Sequence, residues 1–287
     1  MQGIGFGAYD KCFVGLDLEL KPRWLSEDFT ASIRCCASDG KLVAVGTSDD
    51  SIRLFSVRNM KETGALSLHQ GAVSALFFKA GALFSAGEDG FLAIWRISDW
   101  TPVQVLHGHP IRDMAVHASG ALVLTLDKRG HLALWDLKQS KIAAESLVDS
   151  RANLIRWVSE SSYVIAAGSR LLFYLNLEEQ PLELEHSDKI TALSVCGDVI
   201  VCGGELGILS FWSAQGQSLG SLKAHDSRVK ALDGLEDRSG VKLLCSGSSD
   251  GCLKLWQHDQ EDQWTLVSQY ATHTRVTCAV GIPEFEG

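Results

Sequence analysis

The feature that most constrains the fold is a period of about 40 residues that ends each time on a large apolar side chain. Residues 245–256 read CSGSSDGCLKLW, and residues 84–95 read FSAGEDGFLAIW with the same layout. In both stretches an Asp lies six residues, and a Ser ten residues, before the final Trp. A chain with such a period folds from copies of one small unit that bury their apolar faces against one another. The seven ends are Leu16, Phe55, Trp95, Trp135, Tyr174, Trp212 and Trp256.

Each period reads as four short strands. Between Ser98 and Trp135, apolar runs at 102–107, 111–117, 121–126 and 131–137 are separated by GHP, ASG and DKRG, which are turn signals. No run keeps a helical spacing of apolar residues. Four strands in about 40 residues, closed by an aromatic, are typical of a WD-repeat propeller blade. The sequence therefore predicts an all-β, seven-bladed WD40 β-propeller.

The two ends of the chain complete the count of blades. Residues 3–28 contain strands but no preceding inner strand, and residues 275–282 follow the last full period as an isolated strand. Pairing these segments would make a closing blade and leave no open sheet edge. We expect one propeller domain over residues 1–287, closed by 3–28 together with 275–282, and acting as a monomer.

Composition excludes several classes of protein. The formal net charge is −9 and the pI is near 5.5, which argues against a general phosphate-binding surface and hence against direct RNA binding. Eight cysteines include no CxxC pair and no Cys/His spacing typical of zinc, so we expect neither metal nor cofactor. The start MQGIGFGAYD lacks signal-peptide features, and no apolar run approaches 18 residues. A soluble intracellular protein with reduced thiols is expected.

Two periods carry a complete set of His, Ser, Asp and Trp. A single active site has no reason to recur once per repeat with a Trp attached, so no catalytic residue is predicted. We expect the Ser to bridge the His ring to the indole N–H and the Asp to accept from turn amides, which satisfies buried polar groups. The predicted structural sets are His69, Ser85, Asp89 and Trp95, and His225, Ser246, Asp250 and Trp256.

Several stretches resemble one family of WD-repeat proteins. They are KETGALSLHQGAVSALFF at 61–78, SAGEDGFLAIWRISDW at 85–100, and AHDSRVKAL at 224–232 followed by SGSSDGCLKLW. The terminal stretches FGAYDKCFVGLDLEL and TRVTCAVGI also match. The sequence resembles the p21-activated protein kinase-interacting protein 1 family over nearly its whole length.

The resemblance implies a non-enzymatic nucleolar scaffold in assembly of the large (60S) ribosomal subunit and in pre-rRNA processing. Its partners would be assembly factors or ribosomal proteins of the pre-60S particle. A second implication is an adaptor that binds and restrains a p21-activated kinase, and a third possibility is a generic WD40 peptide reader. Arg129 departs from the family, which tends to carry the turn Asp there. Family members usually continue into a Lys-rich tail, whereas this sequence ends GIPEFEG, so tail-mediated RNA binding is not expected of these residues.

A candidate binding site follows from aligning the inner strands. The residue after the first apolar anchor of each strand should lie near the mouth of the central channel: Arg34, Ser74, Arg112, Ile155, Thr191, Lys230 and Thr277. Arg228 and Arg275 lie close in sequence, and Arg129 would add a basic side chain to the same face. We hypothesise that Arg34, Arg112, Arg129, Arg228, Lys230 and Arg275 hold an acidic or phosphorylated segment. The alternative is ordinary surface charge paired with Asp113 and Asp226.

A second candidate site lies on the opposite face. Turns of the periods ending at Tyr174, Trp212 and Trp256 carry many carboxylates, and among their bases we count only Arg238. This acidic patch, Glu178, Glu179, Glu236, Asp237, Asp259, Glu261 and Asp262, would attract a basic tail of a partner. Glu160 and Asp198 lie in the same turns. The alternative is a set of solvated loops, which is what charge runs usually are.

Overall fold

The computed structural model describes residues 2–176, 180–237, 239–259 and 263–283. Within these ranges the backbone consists of strands and turns. Short apolar runs rich in Val, Ile and Leu, interrupted by Gly, Asp and Ser, favour this arrangement. None of the described segments forms a helix long and apolar enough to cross a membrane.

The strands follow one another with short turns between them. The first three are β1 (Gly3–Ala8), β2 (Phe13–Asp17) and β3 (Pro22–Ser26). The next twelve are β4 (Ile33–Ser38), β5 (Leu42–Thr47), β6 (Ser51–Ser56), β7 (Lys61–Ser67), β8 (Val73–Lys79), β9 (Ala82–Gly87), β10 (Phe91–Arg96), β11 (Pro102–His107), β12 (Asp113–Val116), β13 (Leu122–Leu126), β14 (His131–Asp136) and β15 (Lys141–Leu147). The last thirteen are β16 (Ala152–Trp157), β17 (Tyr163–Ala167), β18 (Arg170–Tyr174), β19 (Leu182–Glu185), β20 (Ile190–Cys196), β21 (Val199–Gly204), β22 (Ile208–Ser213), β23 (Ser218–Lys223), β24 (Val229–Glu236), β25 (Lys242–Ser248), β26 (Cys252–His258), β27 (Trp264–Ala271) and β28 (Val276–Ile282).

Seven four-stranded antiparallel sheets form the blades of a propeller. Blades 1 to 6 are consecutive quartets, from β4–β7 to β24–β27, with the first strand of each innermost. Blade 7 has the order β28-β1-β2-β3, so the last strand of the chain pairs with the first. Gly3 lies opposite Ile282 and Gly7 opposite Cys278 in this pairing. The predicted seven-bladed fold, closed by both ends of the chain, is confirmed.

The core lies between neighbouring blades. One apolar cluster joins Leu54 of blade 1 to Leu83 and Trp95 of blade 2, and comparable clusters fill the other junctions. At two junctions a glycine permits the close approach, since a Cβ on Gly203 or Gly247 would meet the next blade's valine at 2.6 Å. Replacing either glycine by a residue with a side chain would therefore require the neighbouring blade to move.

Most of the inner strands contain a β-bulge that the sequence pattern did not predict. In six of the seven blades the pairing of the inner strand with its neighbour skips one residue near the strand's start. An unpaired residue of this kind bends the strand and re-aims its side chain. The skipped residues are Arg34, Ser74, Asn153, Thr191, Lys230 and Thr277.

Candidate partner-binding site at the channel mouth

The polar set of blade 2 is a closed hydrogen-bonded unit. Trp95 Nε1 donates to Ser85 Oγ at 2.9 Å, and the same oxygen lies 2.9 Å from His69 Nε2. The other nitrogen of the ring lies 3.0 Å from Asp89 Oδ2, which also accepts from the backbone N–H of Gln70 at 2.7 Å. The side chains of His69 and Asp89 are buried, so this set is part of the scaffold and cannot touch a partner.

Blade 6 repeats the same unit. Ser246 Oγ accepts from Trp256 Nε1 at 2.8 Å and lies 2.8 Å from His225 Nε2. His225 Nδ1 lies 3.1 Å from Asp250 Oδ2, and Asp250 also accepts from the backbone N–H of Cys252. Ser246 is fully buried. These distances assign both sets to holding the turns.

Blade 3 keeps half of the set. Trp135 Nε1 donates to Thr125 Oγ1 at 2.9 Å, as in the complete blades. His109 is exposed and lies against the ring of His131. The carboxylate that organises the turn comes from Asp127, which accepts from the backbone N–H groups of residues 129 and 131 at 2.7 Å. Arg129 is therefore an exposed side chain on a turn that is already satisfied.

The central channel holds a cavity of about 350 Å³. The channel mouth is formed by six of the seven residues predicted from the inner-strand alignment: Arg34, Ser74, Arg112, Thr191, Lys230 and Thr277. The prediction was wrong for blade 4. Ile155 is fully buried in the junction of blades 3 and 4, and Asn153 is the skipped residue of that strand. The true anchor there is Ala152, whose small side chain is a weak apolar signal.

The mouth is basic, and part of that charge has no counterion. Arg34 lies 3.5 Å from Glu88, whereas Arg112 and Lys230 form no ion pair with a described residue. Burial lowers the pKa of Lys230, and the neighbouring charges of Arg228, Arg34 and Lys189 lower it further. The repulsion between these partly buried positive charges is unfavourable, and a bound anion would relieve it.

Of the two predicted alternative counterions, neither Asp113 nor Asp226 forms an ion pair with a described base of the mouth. Asp113 instead accepts from Arg156 Nη1 at 2.7 Å and from the backbone N–H of Ile155 at 2.8 Å. Arg156 also lies over the ring of Phe77, across the channel. Arg156 was not predicted from the sequence, because its position carries a basic residue in only one blade. Because Asp113 pairs with Arg156 inside the channel, it does not neutralise the positive charges of Arg112 and Lys230 at the mouth.

Asp233 is a further carboxyl group of the channel, and its pKa is raised. Asp233 lines the cavity and accepts from the backbone N–H of Gly281 at 2.8 Å. Burial raises the pKa of Asp233 to about 6. This hydrogen bond links the inner strand of blade 6 to the closing strand β28.

Of the remaining predicted bases, Arg129 does not line the cavity, and Arg228 and Arg275 lie directly before the inner strands β24 and β28. Arg228 and Arg275 are exposed at the position just before the inner-strand anchor, and Arg275 lies over the ring of Tyr9. Lys189 occupies the same position in blade 5, and its Nζ lies 3.7 Å from Glu205. A basic residue before the anchor in successive blades was the sequence signal that could have added Lys189 to the predicted site.

The acidic patch is only partly described. Glu178, Glu179, Glu261 and Asp262 lie outside the described residues. Lys242 begins strand β25, just beyond the turns in which Arg238 was counted, and it forms an ion pair with Asp198. In the β24–β25 hairpin, Lys242 lies opposite Glu236. Glu236 is the last residue of β24, because the insertion in this blade lengthens the hairpin.

Two further carboxylates of the patch organise their own turns. Asp237 Oδ1 accepts from Ser239 Oγ at 2.7 Å and from the backbone N–H of Val241 at 2.9 Å. The bond from Ser239 is the main reason that the pKa of Asp237 is lowered. Asp259 Oδ1 accepts from the backbone N–H of Gln263 at 2.9 Å. Part of the capacity of these carboxylates to accept hydrogen bonds is therefore already used.

The described part of the chain assembles no metal site. No cluster of three or more His, Cys, Asp and Glu side chains there could hold a metal ion. The eight cysteines are free thiols. Burial raises the pKa of the Cys196 thiol to about 11.

Comparison with known proteins agrees with this geometry. The family model described as "WD domain, G-beta repeat" matches residues 25–56, 100–136 and 216–257. A solved structure titled "Structure of U3-55K" superimposes with a TM-score of 0.73 at 15% identity, covering 84% of this chain and 82% of that one. The chain is a WD-repeat β-propeller, a class of protein-interaction scaffold.

Relatives within that class carry the resemblance further. A Xenopus laevis protein named "p21-activated protein kinase-interacting protein 1-like" is 28% identical over 95% of this chain and 79% of its own length. "Shk1 kinase-binding protein 15" of Schizosaccharomyces pombe is 26% identical over 96% of this chain and 83% of its own. The predicted resemblance to the p21-activated protein kinase-interacting protein 1 family is confirmed, and the chain is a homologue of these proteins.

Proposed function

We propose that this propeller is a non-enzymatic scaffold in assembly of the 60S ribosomal subunit and in pre-rRNA processing. In this role it resides in the nucleolus and holds an acidic or phosphorylated segment of an assembly factor or ribosomal protein at the channel mouth. The ribosomal assignment rests on the family resemblance. The mode of binding rests on the charge of the mouth.

The observation that carries the binding mode is the convergence of Arg34, Arg112 and Lys230 on one opening. Arg112 and Lys230 lack a carboxylate among the described residues, while Asp113 is bound to Arg156. A guanidinium presents parallel N–H donors that match a carboxylate or phosphate. An acidic segment would supply the missing counterions and relieve the repulsion among the bases.

The acidic patch offers a second contact for the same scaffold. Glu236 and Asp237 lie beside each other at the tip of the β24–β25 hairpin, with Lys242 nearby. A Lys/Arg-rich tail would be drawn to this side by complementary charge. Glu236→Gln and Asp237→Asn together remove both charges but keep the oxygen that accepts the turn's hydrogen bonds. This double variant should associate more slowly with a basic partner and depend less on salt, with an unchanged melt.

The second candidate function is an adaptor that binds and restrains a p21-activated kinase. It is favoured by the names of relatives, two of which describe kinase interaction or kinase binding. An acidic kinase regulatory segment would fit the same mouth, so geometry alone favours neither.

Purification of the tagged protein from cells tests the proposal. We expect large-subunit precursor RNA and assembly factors to co-purify, and mature small-subunit RNA to be depleted. Recovery of a kinase regulatory domain without RNA would instead support the adaptor. A tagged unrelated propeller of the same size controls for background ribosomal material.

A further inference from the structure

A concentration of positive charge lies on the face opposite the channel mouth. This face is made by the turns that join the first to the second strand and the third to the fourth strand of each blade. On blades 1 to 3 these turns carry more bases than acids, although the whole chain has a net charge of −9. The bases are Lys41, Arg58, Lys61, Lys79, Arg96, Lys138 and Lys141, and the acids are Asp39, Asp99 and Asp136.

The acids on these blades are already engaged within their own turns. Asp39 Oδ1 accepts from the backbone N–H groups of residues 41 and 42 at 2.9 and 2.7 Å. Asp136 Oδ1 accepts from the backbone N–H groups of residues 138 and 139 at 2.9 and 3.1 Å. Asp99 binds Arg96 at 2.9 Å and also Thr101. They are turn-forming groups, and only Asp99 serves as a counterion.

Five exposed bases therefore remain without an ion pair to any described residue. We call them the basic crescent, because they follow the rim of three successive blades. They are Arg58, Lys61, Lys79, Lys138 and Lys141.

The crescent is one continuous surface. The turns of blades 2 and 3 touch near the channel, where a Cβ on Gly120 would meet Ala80 at 2.6 Å. Farther out, Gln104 of blade 2 donates to Leu137 O at 3.1 Å and to Ser140 Oγ at 2.8 Å in the turn between Lys138 and Lys141. Trp100 of blade 2 packs against the apolar cluster that joins blades 1 and 2.

We propose that the basic crescent binds the phosphate backbone of an RNA strand. Four of its five bases are lysines, which serve as point charges for phosphate but are depleted from the cores of protein interfaces. The turns that carry them, all within the described residues, contribute no exposed large apolar side chain that could anchor a protein. Backbone contacts of this kind need charge and reach rather than a shaped pocket.

The proposal goes beyond the scaffold function and reverses the expectation drawn from net charge. The acids that make the chain negative are concentrated elsewhere, for example in the turns of blades 4 to 6. Phosphate recognition is argued from the crescent alone. The choice of RNA over DNA rests on the proposed function in ribosome assembly.

Fluorescence anisotropy with the purified full chain and a labelled oligo-uridine of about 20 nucleotides tests the proposal. We expect binding at about 50 mM salt that weakens with a log–log slope of about −3 to −4, as five neutralised phosphates of a single strand predict. The triple variant Lys79→Glu, Lys138→Glu, Lys141→Glu should bind at least about 30-fold more weakly and should flatten the slope by about 2.

A control variant with the same change in net charge is Lys11→Glu, Lys128→Glu, Lys223→Glu, which alters exposed lysines outside the crescent. It should keep the affinity within about threefold, since contacts with phosphate dominate affinity. Equal losses in the two variants, or no binding at low salt, would overturn the proposal. Tighter crescent-dependent binding of polyglutamate would overturn it in favour of an acidic protein. Tighter binding of oligo-thymidine would overturn the choice of RNA. Because no partner protein takes part, failure here is separate from failure of the scaffold function.

Discussion

Blades 5 and 6 are neighbours with the same order of four strands and different polar interiors. In blade 6, Ser246 Oγ serves both Trp256 Nε1 and His225 Nε2. In blade 5, the residue ten before the Trp is Cys202, and Trp212 Nε1 and His186 Nε2 are both buried without a hydrogen-bond partner among the described residues. A sulfur atom is a weak acceptor and does not replace the hydroxyl.

The carboxylate of blade 5 comes from a different place. The turn position held by Asp250 in blade 6 is held by Leu206 in blade 5, whose side chain is 59% exposed. Asp188, from the loop before β20, accepts from the backbone N–H of Leu206 through Oδ2. His186 Nδ1 is hydrogen-bonded to the Asp188 backbone, and Asp188 Oδ1 lies 2.9 Å from this nitrogen without forming a hydrogen bond to a described residue. The comparison teaches that the carboxylate can be supplied from either loop, whereas the hydroxyl between His and Trp has no substitute. Packing maintains the fold, and the polar set adds stability to it.

The largest expected difference concerns the two tryptophans. Trp256→Ala should lower the free energy of unfolding by about 3–5 kcal/mol, because it removes a buried ring and orphans polar neighbours. Trp212→Ala should lower the free energy of unfolding by about 1–2 kcal/mol less than Trp256→Ala does. The ring of Trp212 is more exposed, and its removal breaks no hydrogen bond to a described residue. Urea melts of both variants check this difference. Equal losses would show that the polar set of blade 6 adds nothing to packing.

Exchanging Ser and Cys between position 246 of blade 6 and position 202 of blade 5 should reverse the difference in stability between the two polar sets. Ser246→Cys should cost about 1–3 kcal/mol by orphaning the indole and imidazole N–H groups of blade 6. Cys202→Ser should raise stability by about 1 kcal/mol by giving Trp212 and His186 a shared hydroxyl. Thermal and urea melts of the two variants measure both effects. A destabilised Cys202→Ser protein would refute the idea that blade 5 is an incomplete version of blade 6.

The fold was predictable because its signals are periodic, and the details that failed are local. Repeat ends such as Trp95 and Trp256 recur at near-constant spacing, which gives the number of blades and the closure by the two chain ends. Asp188 escaped prediction because it replaces the turn Asp from another loop, at another offset. Ile155 was placed wrongly since the anchor of its strand is the small Ala152 and one residue is skipped after it.

The candidate site was predictable to the extent that it depends on strand register. Arg34, Arg112 and Lys230 line the mouth, as the alignment of inner strands indicates. The pairing of Asp113 with Arg156 was beyond sequence reasoning, because it joins side chains 43 residues apart in neighbouring blades. The basic crescent was missed because its bases lie in separate periods and the total charge is negative.

A smaller effect should follow from the pH. Burial lowers the pKa of His225 below its usual value of 6.5, although Asp250 opposes this shift. Below about pH 6.5 the unfolded chain binds a proton that the folded ring does not, so stability falls as the pH falls through this window. His225→Gln should therefore cost more stability at pH 7.5 than at pH 5. A cost that does not vary with pH would exclude a neutral, buried His225.

The smallest effect is expected at the turn of blade 3. Arg129→Ala should change stability by less than about 0.5 kcal/mol, because the side chain is exposed. Asp127→Ala, in the same turn, removes the acceptor of two backbone N–H groups and should cost about 1–3 kcal/mol. Melts of the pair measured side by side check the contrast. Similar losses would mean that Arg129 takes part in holding the turn.

The account assigns the polar sets to the scaffold and partner binding to the channel mouth. Its most direct test is recovery of partners by tagged protein carrying Arg112→Glu and Lys230→Glu together, measured beside a thermal melt of the same variant. The account predicts loss of the partner with an unchanged melting temperature, while Ser246→Cys should keep the partner below its lowered melting temperature. Undiminished recovery by the double charge-reversal variant would contradict the account and remove the mouth as the binding site.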